Sequence, residues 1–263
     1  MDKQAAVTFP GLRRFNGIMF VLHLAQAIVM LIVGLTVSPM KEFRLPLTVT
    51  FRTFDETIQR LVSVTEQVAD VPVGPLVSSF LFLSALAHLL IILPGVNAAY
   101  NRGLKRKTNR FRWYEYALSS SVMIVLIAMF FGVYDLGSLI LMFGLNATMN
   151  LLGLMMEVHN QTTEKTRWTS FNIGVFAGAI PWIIILMYFL GSGNFDQIPG
   201  FVYAILISYF VLFNLFPINM VLQYKKIGRW ADYLVGERTY IVLSLVAKSL
   251  LAWLVFFGTM QPA

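Results

Sequence analysis

The sequence predicts an all-α membrane protein, a bundle of seven transmembrane helices with a small β-hairpin in its longest loop, formed as one domain over residues 1–263. Three observations lead there. Of the 263 residues, 57% are hydrophobic and only 13% are Asp, Glu, Lys or Arg, against roughly a quarter charged in a soluble domain. Seven apolar stretches are each long enough to cross a hydrocarbon core of about 30 Å at about 1.5 Å per residue. The basic residues are also distributed unevenly among the connecting loops, which is the pattern that sets topology. There is no cysteine, so disulfides, thiolate metal sites and thiol catalysis are excluded.

Hydropathy places the spans near 15–37, 76–97, 113–133, 136–157, 170–191, 199–223 and 239–260. The first follows Arg13 and Arg14, but it is longer than a signal-peptide core of about 7–15 residues and has no small-x-small cleavage site. It is expected to be retained. Spans three and four are joined by a tight corner, Gly132-Val-Tyr-Asp135.

Lys3, Arg13 and Arg14 precede the first span. Arg102, Lys105, Arg106, Lys107, Arg110 and Arg112 crowd the link between spans two and three. Lys165 and Arg167 follow span four, and Lys225, Lys226, Arg229 and Arg238 follow span six. On the other side, Lys41, Arg44, Arg52 and Arg60 share one long acidic loop, and the remaining segments there have no Lys or Arg. Positive-inside bias therefore predicts a cytoplasmic N-terminus and an extracellular C-terminus in a multi-pass cell-membrane protein. The Arg102–Arg112 stretch reads chiefly as a topology-setting loop, with anionic lipid or a signalling partner as the other reading.

The long loop, 38–75, contains Leu45-Pro-Leu-Thr-Val-Thr-Phe-Arg-Thr-Phe54. Leu47, Val49 and Phe51 alternate with Thr48, Thr50 and Arg52, which is strand periodicity and predicts an extracellular hairpin. An irregular loop is the alternative.

Of the twenty Lys and Arg residues, only Lys248 falls in the middle of a span. It lies ~14 Å into the seventh helix by helix rise. A charge at that depth costs about 2.5–3.5 kcal/mol on insertion scales, so it must be paired, buried in the bundle or modified. Alone, Lys248 fits either a structural ion pair or a Schiff-base amine, since desolvation makes lysine a competent nucleophile. Glu115 is the one carboxylate of the third span and can supply the counter-charge; it can also pair with Arg112 at i−3. Ser244 shares a helix face with Lys248 one turn earlier.

Two segments carry a family resemblance: Arg112-Trp-Tyr-Glu-Tyr-Ala-Leu-Ser-Ser-Ser121 in helix three and Tyr240-Ile-Val-Leu-Ser-Leu-Val-Ala-Lys248 in helix seven. Together with Gly236-Glu-Arg238, Pro199-Gly-Phe-Val-Tyr203 and the inverted topology, they resemble heliorhodopsins, a branch of the microbial rhodopsins. The resemblance covers all seven helices. It implies all-trans retinal held by Lys248 as a protonated Schiff base, with Glu115 as counterion and Ser244 and Ser119 within hydrogen-bonding range. It further implies a pocket including Tyr116, Met149, Phe213 and Phe216, the last two from Phe213-Asn-Leu-Phe-Pro217 of helix six. His23 and His88, with Gln26 and Asn146 as polar neighbours, are implied to form a network that takes the released proton. His159, beside Glu157 at a helix end, needs no special role. No metal site is expected, because three His without clustered carboxylates do not make one.

Proton-pumping relatives place a carboxylate eleven residues after the helix-three counterion, where this chain has Leu126. From Tyr116 to Val133 the third helix has no titratable group but the tyrosine. The leading expectation is therefore light sensing without net ion pumping, with output through conformational change. A light-gated proton or ion channel is the alternative. A non-photoactive receptor or an enzyme comes third, since no nucleophile–base pair or phosphate loop is present. The expected partners are the lipid bilayer, a second copy of the chain and an unidentified cytoplasmic signalling protein, and not nucleic acid.

Overall fold

The computed structural model describes residues 7–193 and 195–260. In chain order the elements are α1 (Phe9–Thr36), α2 (Ser38–Glu42), β1 (Arg44–Asp55), β2 (Arg60–Pro72), α3 (Val73–Ile92), α4 (Pro94–Lys105), α5 (Arg110–Phe130), α6 (Leu136–His159), α7 (Thr169–Gly191), α8 (Gly200–Tyr224) and α9 (Tyr233–Thr259). Seven helices, α1, α3 and α5 to α9, are long and apolar enough to cross a membrane. The start of α1, helix α4 and the α6–α7 and α8–α9 links lie at one end of the bundle, here termed the basic end. The hairpin and the α5–α6 corner lie at the other, the hairpin end.

Several helices start before their apolar stretch does, because polar caps set their ends. The Thr8 side chain accepts from Gly11 N at 3.2 Å, and Pro10 sits in the first turn of α1, where no N–H partner is needed. Asn109 Oδ1 accepts from Arg112 N at 3.1 Å to cap α5, and Asp232 Oδ1 accepts from Leu234 N at 2.9 Å to cap α9. The second span differs most from expectation. It stops at Ile92 rather than running to 97, because Pro94 holds Leu93 extended at φ −64°, ψ 137°. What reads as a link is then a second helix, α4, which buries Asn97, Tyr100 and Leu104 and exposes Arg102 and Lys105.

The hairpin is present and longer than Leu45–Phe54. Its antiparallel register runs from Arg44↔Pro72 to Asp55↔Arg60, with an irregularity between Leu47 and Thr48. Asp55 Oδ1 accepts from Thr57 N at 2.9 Å, and Gln59 takes a left-handed φ of 53°, which closes the turn. The alternation does not produce a buried face: Phe51, Phe54 and Leu61 are exposed on the distal half. The base is anchored by Thr48 N donating to Tyr134 O at 2.9 Å, which ties the hairpin to the corner between α5 and α6.

Helix α5 is the most enclosed, with 61% of its apolar window buried against 22–44% for the other six. It packs on α3 and α6, α1 lies on α3, α7 on α6, and α8 on α9. Towards the hairpin end its buried residues, Met123, Ile124, Leu126 and Ile127 among them, form one apolar core with residues of α1, α3, α8 and α9. The backbones of α1 and α3 approach closely at a glycine pair, where a Cβ built on Gly34 would lie 2.7 Å from Gly74 Cα. In lipid such small-residue contacts let helices gain dispersion and backbone proximity that larger residues would prevent.

Gly34→Ala is therefore expected to destabilise the bundle by about 1–3 kcal/mol through overpacking. Gly17→Ala, where nothing lies within 4 Å of the added Cβ, is expected to be neutral or slightly stabilising. Thermal melts of both variants in detergent check this, and equal melting temperatures would contradict the close-packing account.

Candidate functional site

Lys248 is 2% exposed on the inward face of α9. Its Nζ donates to Glu115 Oε1 of α5 at 2.8 Å and to Ser244 Oγ, one helical turn earlier, at 2.7 Å. Ser84 of α3 donates to the same Glu115 oxygen at 2.6 Å. Three helices thus converge on one ion pair, and Tyr116 puts its ring centroid 5.2 Å from Nζ. Ser119 lies one turn beyond Glu115 and is fully buried.

A cavity of about 390 Å³ runs from Lys248 between α5, α6, α7 and α8. Tyr116, Met149, Phe213, Phe216 and Ser244 all line it, as the sequence leads one to expect; Ser119 does not. Trp182, Met123 and Gly178 also line it, and the sequence did not single them out. Trp182 meets Phe213 edge-on at 5.6 Å, and Tyr116 meets Phe216 edge-on at 5.4 Å, so the walls are rigid aromatic faces. The Met149 thioether packs directly against Gly178 of α7, so a side chain there would have to displace it. The volume falls in the range of about 300–1,000 Å³ typical of small-molecule sites. A largely aromatic and aliphatic lining that includes a buried amine fits retinal in polarity and reactive group.

His23 and His88 stack, with ring centroids 5.5 Å apart and planes at 9°. His88 Nδ1 lies 2.7 Å from Asn16 Oδ1, while neither ring nitrogen of His23 has a hydrogen-bond partner among the described residues. The two expected neighbours lie elsewhere. Gln26 accepts from Trp253 Nε1 at 3.1 Å, and Asn146 donates to Ser120 and Ser121 on the α6-facing side of α5. No hydrogen bond joins either to a histidine among the described residues.

Arg112 is not the partner of Glu115, the alternative that its i−3 spacing left open, and unlike Arg102, Arg106 and Arg110 of the basic stretch it is not at the surface. At 5% exposure it is buried between two carboxylates, pairing with Glu157 of α6 at 2.5 Å and with Glu237 of α9. Glu157 also accepts from Trp113 Nε1 at 2.8 Å and Tyr233 OH at 2.9 Å, and Glu237 from Tyr100 OH at 3.0 Å and Asn109 Nδ2 at 2.7 Å. The reason is directional: side chains at i and i+3 share a face, but α5 turns Arg112 towards the basic end, where two better-placed acids wait. His159 in turn contacts Ser170 Oγ at 3.0 Å rather than Glu157. A small cavity of about 30 Å³, with room for a water, lies between this cluster and the ion pair, lined by His88, Glu115, Arg112, Glu237 and Ser244.

Breaking a buried pair from one side leaves a charge stranded in low dielectric, at about 3–5 kcal/mol. In retinal-free protein, Glu115→Leu is expected to lose that much stability, and Glu115→Leu with Lys248→Met to recover most of it. Denaturation of both variants checks the coupling, and additive losses would contradict it.

A comparison with curated proteins finds no match. A family model described as Heliorhodopsin matches residues 12–260, nearly the whole chain and every element of the site. With seven helices long and apolar enough to cross a membrane and a buried lysine lining an apolar cavity, the chain belongs to the heliorhodopsin family, retinal-binding and light-sensing membrane proteins.

Proposed function

We propose that this chain is a light sensor whose chromophore is carried on Lys248 and whose output is a change of conformation, without net ion transport. When bound, retinal supplies the light-absorbing polyene, joined to Lys248 Nζ as a protonated Schiff base and isomerising on absorption. The observation that carries the proposal is Lys248, paired with Glu115, in the lining of the apolar cavity.

Each residue then has a physical task. Glu115 stabilises positive charge at Nζ, an interaction strengthened by the low dielectric around it. Ser84 and Ser244 orient the carboxylate and the amine. Trp182, Phe213, Phe216 and Tyr116 exclude water and fix the chromophore's path. A proton leaving Nζ would meet Glu115, then His88 and its stacked partner His23, whose ring nitrogens have no hydrogen-bond partner among the described residues and can take it.

The hairpin-end half supports the absence of a through-path. There the core of α5 is Met123, Ile124, Leu126, Ile127 and Met129, and no Asp, Glu, His, Lys or Arg is buried in it among the described residues. That is poor ground for a proton relay or a wet ion pathway, so a light-gated conductor is the weaker reading. The basic end is assigned to the cytoplasm by positive-inside bias. The exposed apolar residues of the hairpin support pairing between two copies, and the moving basic end is where a signalling partner would read the change.

Expressed with all-trans retinal, the wild type is expected to show a visible band that shifts on illumination, and Lys248→Ala to show none. A colourless, folded wild type would overturn the reading. Illuminated vesicles containing the protein are expected to show no sustained photocurrent or net pH change, and either signal would promote the conductor.

A further inference from the structure

At the basic end, a cavity of about 310 Å³ opens where the start of α1 meets the segment leading into α9. Two guanidinium side chains, Arg229 and Arg238, line it together with Trp230 and the apolar side chains Val7, Val235 and Val242. Neither arginine makes an ion pair among the described residues. The nearby acid, Asp232, is engaged in capping α9. Trp230 is fixed by donating Nε1 to Asn219 Oδ1 at 2.7 Å, which holds the turn carrying Arg229 in place. Arg238 lies over the Phe15 ring of α1, 5.4 Å from its centroid, so its position is set by an aromatic face rather than left to solvent.

Below the arginines the surface is apolar. Phe15, Ile18 and Leu22 share one side of α1 by helical spacing, as Arg238, Val242 and Val246 share one side of α9. Ile18, Leu22, Val242 and Val246 are all exposed. Further down, the Trp253–Gln26 hydrogen bond joins the same two helices. From Arg238 to Val246 the helix rises ~12 Å, close to the ~15 Å half-thickness of a hydrocarbon core. Two arginines lining one cavity, above an exposed apolar strip on α1 and α9 about one leaflet long, match a phospholipid's anionic headgroup and acyl chain.

We propose that this α1–α9 face holds one anionic phospholipid of the surrounding leaflet, its phosphate between Arg229 and Arg238 and an acyl chain along Val242 and Val246. Arginine suits the role because its planar donors grip phosphate oxygens in pairs. The two arginines approach from different segments, the α8–α9 link and α9 itself, and Arg238 rests on α1. A bound headgroup would therefore couple the first and last spans.

Native mass spectrometry of the detergent-purified full chain tests this with phosphatidylglycerol, phosphatidylcholine and inorganic phosphate as separate probes. The expected result is retention of phosphatidylglycerol over phosphatidylcholine, weakened about tenfold or more in Arg229→Gln/Arg238→Gln by loss of charge-assisted hydrogen bonds. Arg102→Gln/Arg106→Gln, which removes the same net charge elsewhere at that end, is expected to bind as the wild type does. Val242→Trp keeps both arginines and fills the cavity, and is expected to lose the lipid as well. Equal loss in both arginine pairs, equal retention of the two lipids, or inorganic phosphate binding without lipid retention would overturn the proposal.

Discussion

An ammonium group near the middle of an apolar bundle has to be matched, and most of this structure follows from how it is matched. Lys248 sits where lipid and aliphatic side chains offer no solvation, so its charge depends on Glu115 at 2.8 Å and Ser244 at 2.7 Å. That pairing requires Glu115 to be free of other cations. Its neighbour Arg112 would compete for it, three residues away on the same helix. The structure removes the competitor by burying Arg112 between Glu157 and Glu237, so two separate ion clusters share one end of one bundle. The pairing of the inner cluster thus rests on the outer one.

The same arrangement makes the molecule asymmetric along its axis. The buried Arg112–Glu157–Glu237 cluster and His88, bonded to Asn16, lie on the basic-end side of Lys248, and the hairpin-end side is packed with Met, Ile, Leu and Val. On the proposed function, a proton released at Nζ would find its acceptors, among the described residues, away from the hairpin end. Energy absorbed at Lys248 would, on the same proposal, rearrange the bundle rather than move an ion across it. The cavity walls are closely packed edge-to-face rings, which leave little room to absorb a change of shape in anything bound there.

The seven spans and the Lys248–Glu115 pair were legible in the sequence because each breaks a strong rule: long apolar runs are rare in soluble chains, and a mid-span lysine is costly. Tyr116, Phe213 and Phe216 were legible through family resemblance rather than periodicity, since a chain with 22 Phe makes any single aromatic uninformative. What escaped was set by capping and by long-range geometry. The polar first turns of α1, α5 and α9 carry no hydropathy signal, although Thr8, Asn109 and Asp232 were recognisable caps. Pro94 was a visible sign that the second helix ends early. Glu157 and Glu237 could not be assigned to Arg112 from spacing, because they lie 45 and 125 residues from it in sequence. Asn146 faces Ser120 and Ser121 for a similar reason: which side of α5 meets α6 is decided by packing, not by any local pattern.

The central claim is that one lysine carries the chromophore, and the most direct measurement is to fix the linkage chemically and locate it. Protein loaded with retinal would be reduced with borohydride, digested, and its peptides analysed by mass spectrometry. The account predicts a retinyl adduct on the peptide containing Lys248 and on no other lysine. An adduct on a different lysine, or retinal recovered entirely unlinked from a coloured protein, would contradict it.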